Sequence, residues 1–162
     1  MIGLPVETAA QEKRVVLTPD AVALLVNNGQ QVLVETNAGK ESKFSDKEYS
    51  DAGAKVVYSA KEAFDAEVII KVEPPTEEEI NYMRSGSCLI SALQLGKQSA
   101  DYIHALNKKR ITAVSYENLE DKVGGMPVVR AMSEIAGSTV MLIAAEYLSS
   151  VNNGKGLIMG GV

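Results

Sequence analysis

The chain has 162 residues, 46% hydrophobic and 23% charged, with a formal net charge of −5, which suits one soluble domain with a buried core. That acidic balance argues against the clustered basic face of a nucleic-acid binder. A single cysteine, Cys88, excludes a disulfide framework and a cysteine metal cluster, and a single histidine, His104, argues against a histidine metal site.

The elements alternate along the chain. Met1 to Leu4 predicts a strand, and Val15 to Leu17 a further extended stretch after a polar loop. Thr18-Pro19 opens a helix, with Thr18 as N-cap and Pro19 at the first helical position, where its missing N–H costs nothing. Val22, Leu24, Leu25 and Val26 form its apolar side and Gly29 ends it. Gln31 to Glu35 is the next predicted strand. Ser45 with Glu48, and Ser59 with Glu62, have capping-box spacing, and Val56 to Tyr58 lies between them as a strand. Glu67 to Val72 is nearly all apolar, the pattern of a parallel strand covered on both faces. Pro74-Pro75 stops it, and Thr76 with Glu79 caps another helix. Cys88 to Ala92 is a strand, Ser99 to Lys109 a helix and Ile111 to Val114 a strand. A long helix follows from about Met132 to about Ser149.

This alternation predicts an α/β domain with a largely parallel, doubly wound sheet and flanking helices. Such sheets bind ligands beyond the carboxyl ends of their strands, so Arg14, Lys71, Glu73 and Gln94 are the candidate ligand residues. Arg14 offers a planar fork that matches a carboxylate, or is a solvated surface arginine. Lys71, ending an apolar strand, needs solvent or an anion; Glu73, two residues on, is the simplest partner. Gln94 either faces a substrate or satisfies loop backbone. Tyr116 and Glu117 follow the last strand toward the same end. Ser133 is read as lying near a helix start, where backbone N–H groups attract phosphate. Cys88 reads as a small core residue, and His104, mid-helix without an acid partner, as a packing or surface residue.

No Gly-x-Gly-x-x-Gly follows a strand and opens a helix. The start lacks the basic and apolar regions of a signal peptide. The charge-free stretch Ile135 to Ala145 is read as too short to span a bilayer. The expectation is a soluble, cytoplasmic protein. The segment from Gly156 to Val162 reads as the start of something further, and the chain as cut off there.

Several segments together carry a resemblance. They are Gly3-Leu4-Pro5-Val6-Glu7-Thr8, Arg14-Val15-Val16-Leu17-Thr18-Pro19, Gly53-Ala54, Ile70-Lys71-Val72, Met132-Ser133-Glu134-Ile135-Ala136-Gly137 and Met159-Gly160-Gly161-Val162. In order and spacing the chain resembles the alanine dehydrogenase and NAD(P) transhydrogenase alpha-subunit family, over its amino-terminal substrate domain. The resemblance implies a Rossmann/flavodoxin-like sheet, a substrate domain over 1–130, and an interdomain helix with the start of an NAD-binding domain over 131–162. It implies NAD as cofactor, bound mainly by the domain that follows, and a homo-oligomer acting on alanine and pyruvate.

The resemblance gives Arg14, Lys71 and Glu73 to the substrate, Gln94 to the catalytic position, and Met132 and Ser133 to the cofactor. It differs from the alanine dehydrogenase pattern at two places: Glu73 stands where a second lysine is usual, and Gln94 where a histidine is usual. The implied activity is NAD-dependent oxidation of L-alanine to pyruvate and ammonia by the whole protein, the chain alone being inactive. Transhydrogenase-type hydride transfer, or an altered member that senses NAD or a metabolite, are the alternatives.

Overall fold

The computed structural model describes residues 1–160. It forms two compact units, one from Met1 to Tyr116 and a second beginning at Glu117.

The first unit is built on six parallel strands: β1 (Ile2–Leu4), β2 (Val32–Glu35), β3 (Lys55–Val57), β4 (Val68–Ile70), β5 (Cys88–Ser91) and β6 (Thr112–Ser115). Their order is β3-β2-β1-β4-β5-β6, and every pairing is parallel. The chain runs outward from β1 to one edge, crosses back, and runs outward from β4 to the other. The order therefore switches between β1 and β4, and a crevice opens beyond their carboxyl ends.

Five helices make the crossovers: α1 (Pro19–Asn27), α2 (Asp46–Asp51), α3 (Ala60–Phe64), α4 (Glu77–Tyr82) and α5 (Ala100–Lys108). Their starts follow the sequence signals. Thr18, Ser45, Ser59, Thr76 and Ser99 each accept a backbone N–H from the first turn. Reciprocal capping boxes close at Ser45/Glu48 and Thr76/Glu79. The expected box at Ser59 is only half formed, because the Glu62 carboxylate accepts the Tyr58 N–H instead. Gly29, at φ +81°, supplies the left-handed residue just past α1.

Two hydrophobic clusters cover the two faces of the sheet. Val22 of α1 and Tyr49 of α2 pack with Ile2, Leu4, Val32 and Val34, against which Val68 and Ile70 also lie. Phe64, Ile80, Tyr102 and Leu106 of α3, α4 and α5 pack with Ile69 and Leu89 on the other. Central β4 thus sends alternate side chains to both cores, which is why its sequence reads as continuous apolar residues. Val15 to Leu17, expected to be extended, is not a strand; it lies in the connection leading to α1 and packs against the first cluster. Cys88, expected in the core, is only half-buried and belongs to neither cluster, and burial pushes its thiol pKa up. His104 lies exposed on α5.

The second unit is dominated by α6 (Pro127–Leu148), 22 residues long. It begins one turn and more before the expected start near Met132, because Pro127 can open a helix without an N–H. Ser133 is consequently not at a helix start but inside the helix, where its own N–H belongs to the backbone ladder. The charge-free stretch Ile135 to Ala145 is only the middle part of this longer helix. By length and composition alone, α6 as a whole is long and apolar enough to cross a membrane. A single helix of this kind is equally a packing element of soluble proteins. The expected boundary between residues 130 and 131 falls within α6. The expectation for the terminal Gly161-Val162 lies outside the described residues.

Candidate active site

The carboxyl ends of β1, β4, β5 and β6 bring together residues far apart in sequence. After β4, Lys71 is 1% exposed, buried deeper than any solvated strand end. Its Nζ lies 3.1 Å from Glu79 Oε1 and 3.7 Å from Glu7 Oε2, whose side chains are 8% and 7% exposed. It also donates to the Val6 carbonyl and sits 5.8 Å from the centre of the Phe64 ring. Lys71 therefore does not pair with Glu73, as the spacing suggested. The alternation of a strand sends the Lys71 side chain to the face occupied by α3 and α4, where Glu79 waits at the third position of α4.

Glu7 does more than neutralise Lys71. Its carboxylate accepts the backbone N–H groups of Val72 at 2.5 Å and Glu73 at 3.2 Å, clamping the turn that follows β4 onto the loop that follows β1. Burial raises the pKa of Glu7, while Lys71 and the two amides oppose that rise. Glu79 accepts from the Thr8 hydroxyl and closes its capping box as well as pairing with Lys71. On the other side of the turn, Tyr116 at the end of β6 donates its hydroxyl to the Val72 carbonyl at 2.7 Å.

A second set of side chains lies on the open side of this frame. Arg14 Nε and Nη2 grip the two oxygens of Glu12 at 2.8 and 2.5 Å. That contact holds the Glu12 carboxyl below the usual carboxylate range and raises the Arg14 pKa further. Arg14 Nη2 also lies 3.7 Å from Glu73 Oε1. Glu73 Oε2 accepts from Gln94 Nε2 at 2.7 Å, and Gln94 Oε1 accepts from Lys97 at 3.0 Å. Gln94 reaches Glu73 from a left-handed backbone conformation, φ 46° and ψ 46°, in the loop that follows β5.

Arg14, Glu73 and Gln94 are thus brought together, while Lys71 is enclosed separately between Glu7 and Glu79. Met132 and Ser133 belong to the second unit, exposed on α6. Reading the chain alone missed Glu7, Glu12 and the second role of Glu79. A signal for Glu7 and Glu79 existed: a lysine in an apolar strand of a sheet covered on both faces requires a buried carboxylate. Which of the acidic residues supplies it depends on strand order. Among the described residues no cluster of histidine, cysteine and acidic side chains could hold a metal ion.

The crevice does not fit the pyrophosphate of a dinucleotide. The turn after β1 is Pro5-Val6-Glu7, where Pro5 has no N–H to donate and the Glu7 carboxylate already occupies the amides of the neighbouring turn. Glu12 and Glu73 beside it add like charge.

Residues 3–136 match the family model described as alanine dehydrogenase/PNT, N-terminal domain. The chain belongs to this family. It is 39% identical over all 162 residues to the alanine dehydrogenase of Bacillus subtilis, and 37% identical over 161 residues to that of Staphylococcus epidermidis. It spans 42% and 43% of the length of those two relatives. A solved L-alanine dehydrogenase superposes with a TM-score of 0.92 at 37% identity, covering 99% of this chain and 44% of that one. A transhydrogenase from Sinorhizobium meliloti superposes with a TM-score of 0.68 at 32% identity, covering 75% of this chain and 36% of that one. The expected fold, a parallel doubly wound sheet with a long helix following it, is the one observed.

Proposed function

We propose that this chain forms the substrate side of an NAD-dependent alanine dehydrogenase. The whole protein would interconvert L-alanine, water and NAD with pyruvate, ammonia and NADH, in the cytoplasm and as a homo-oligomer. The observation that carries this reading is the identity to alanine dehydrogenases along the full chain, together with an arginine at the strand-order switch. Arg14 would hold the substrate carboxylate through the donors that Glu12 does not use. Glu73 and Gln94 would line the pocket, with Gln94 at the catalytic position, and Lys71 would support the pocket floor from within.

The residues of the crevice do not fit NAD, so its contacts are assigned mainly to the part of the relatives' length that this chain does not span. Met132 and Ser133 would add contacts from α6. The chain by itself would then form no NADH and bind it only weakly. The test is the absorbance of NADH formed from L-alanine by the whole protein at neutral to alkaline pH, beside the 162-residue chain. Turnover by the whole protein and none by the chain is the expected result. Absence of turnover in both overturns the reading.

The likeness to the transhydrogenase supports a second reading, hydride transfer between two nicotinamide cofactors. A member that retains binding but has lost turnover is a third, supported by the internal pairing of Glu73 with Gln94. Reduction of a nicotinamide analogue by NADPH without any amino acid favours the second. Calorimetric binding of NADH or pyruvate without turnover favours the third.

A further inference from the structure

Arg14 and Glu73 present opposite charges to the same open crevice, and their arrangement selects among small carboxylic acids. The guanidinium has two edges that each offer a pair of parallel donors. Glu12 occupies the Nε/Nη2 edge, which leaves the edge built on Nη1 on a side chain that is 51% exposed. Glu73 Oε1 stands 3.7 Å from Nη2, too far for a hydrogen bond, on a side chain that is 26% exposed. Its other oxygen is turned toward Gln94. The crevice therefore offers a donor edge and, beside it, a carboxylate oxygen with lone pairs to spare.

An α-amino acid is the mirror of that pair. Its carboxylate meets the arginine edge while its ammonium group donates to Glu73. A 2-oxo acid of the same size brings a carbonyl oxygen to that second position, so two acceptors face each other with no proton between them. The cations that would relieve this contact are engaged elsewhere. Lys71 is enclosed between Glu7 and Glu79, and Lys97 donates to Gln94.

We infer that this site favours the zwitterionic amino acid over the corresponding 2-oxo acid, with Glu73 as the residue that recognises the ammonium group. The inference rests on the proposed alanine dehydrogenase reading for the identity of the site and adds the direction of its preference.

Amide NMR spectra of the 162-residue chain, titrated near neutral pH with L-alanine, pyruvate and propionate, test it. L-Alanine is expected to move the resonances of Arg14, Glu73 and Gln94 with a Kd roughly tenfold below those of pyruvate and propionate, the size of one charge-assisted contact. Glu73→Gln should remove the preference and Glu73→Lys should reverse it, each with the dispersed spectrum of the folded chain. Equal or tighter binding of pyruvate or propionate, a preference that survives both substitutions, or no binding of any of the three overturns the inference. Tighter pyruvate binding at these same residues would overturn it while leaving the alanine dehydrogenase reading intact, because that reading fails separately in the NADH assay.

Discussion

Lys71 Nζ stands 3.1 Å from Glu79 Oε1, and the two side chains are 1% and 8% exposed. An ion pair so enclosed is a weak net source of stability while intact, because both charges have lost their water. Its rupture is costly, because the surviving charge is stranded. Lys71→Met leaves both Glu79 and Glu7 without their cation. We expect it to lower the unfolding free energy by about 3–5 kcal/mol, read from urea unfolding at neutral pH. Pairing it with Glu79→Gln should recover part of that loss.

Glu7 makes the stability of the first unit depend on pH in a defined direction. Its folded-state pKa is raised above the ordinary 4.5, with burial the largest cause. The folded protein then binds the proton more tightly than the unfolded chain does. The stability contributed by that proton is full below 4.5 and is lost as pH rises through the folded-state value. Wild type should therefore lose stability relative to Glu7→Gln as pH rises above 4.5, with the difference levelling off beyond the folded pKa. Glu12, lowered chiefly by its bond to Arg14, has the opposite sign: its contribution is full above 4.5 and is lost on acidification. Urea midpoints of wild type, Glu7→Gln and Glu12→Gln from pH 4 to 8 check both slopes.

Gly3 of β1 lies against the Ala63 carbonyl of α3. A Cβ built there would stand 2.0 Å from the Ala63 carbonyl oxygen and 3.0 Å from Ala66 Cβ, and the first obstacle is backbone that no rotamer change can move. Gly3→Ala should cost about 2 kcal/mol or more and lower Tm by roughly 5–10 °C. Gly96→Ala is the control, since a Cβ there meets nothing within 4 Å. Its Tm should stay within about 2 °C of wild type.

On α6, Ile135, Val140, Met141, Leu142 and Tyr147 are each more than half exposed. Apolar area of that extent on one helix, of the order of several hundred Å², promotes association. The chain is expected to self-associate at micromolar concentrations. Leu142→Asp, at a position 74% exposed, should shift sedimentation toward the monomer without changing the circular dichroism of the sheet. A wild-type chain that sediments as a monomer at every concentration would contradict this.

The sequence by itself determined the alternation of strands and helices. The cap residues Thr18, Ser45 and Thr76, the proline at Pro19 and the unbroken apolar run of β4 all act within a few residues of one another. Local hydrogen bonding and side-chain period suffice to read them. It also pointed to Arg14, Lys71, Glu73 and Gln94 as candidates, since each lies at a strand end or in a loop nearby. What each of those residues touches was decided by tertiary structure. Strand order sets β1 beside β4, and only that adjacency carries Glu7 to the amides of Val72 and Glu73, 65 and 66 residues away. The same adjacency encloses Lys71 between two carboxylates and frees Glu73 for Gln94 and Arg14. A buried charge must find an opposite one, and which one it finds depends on how distant segments pack.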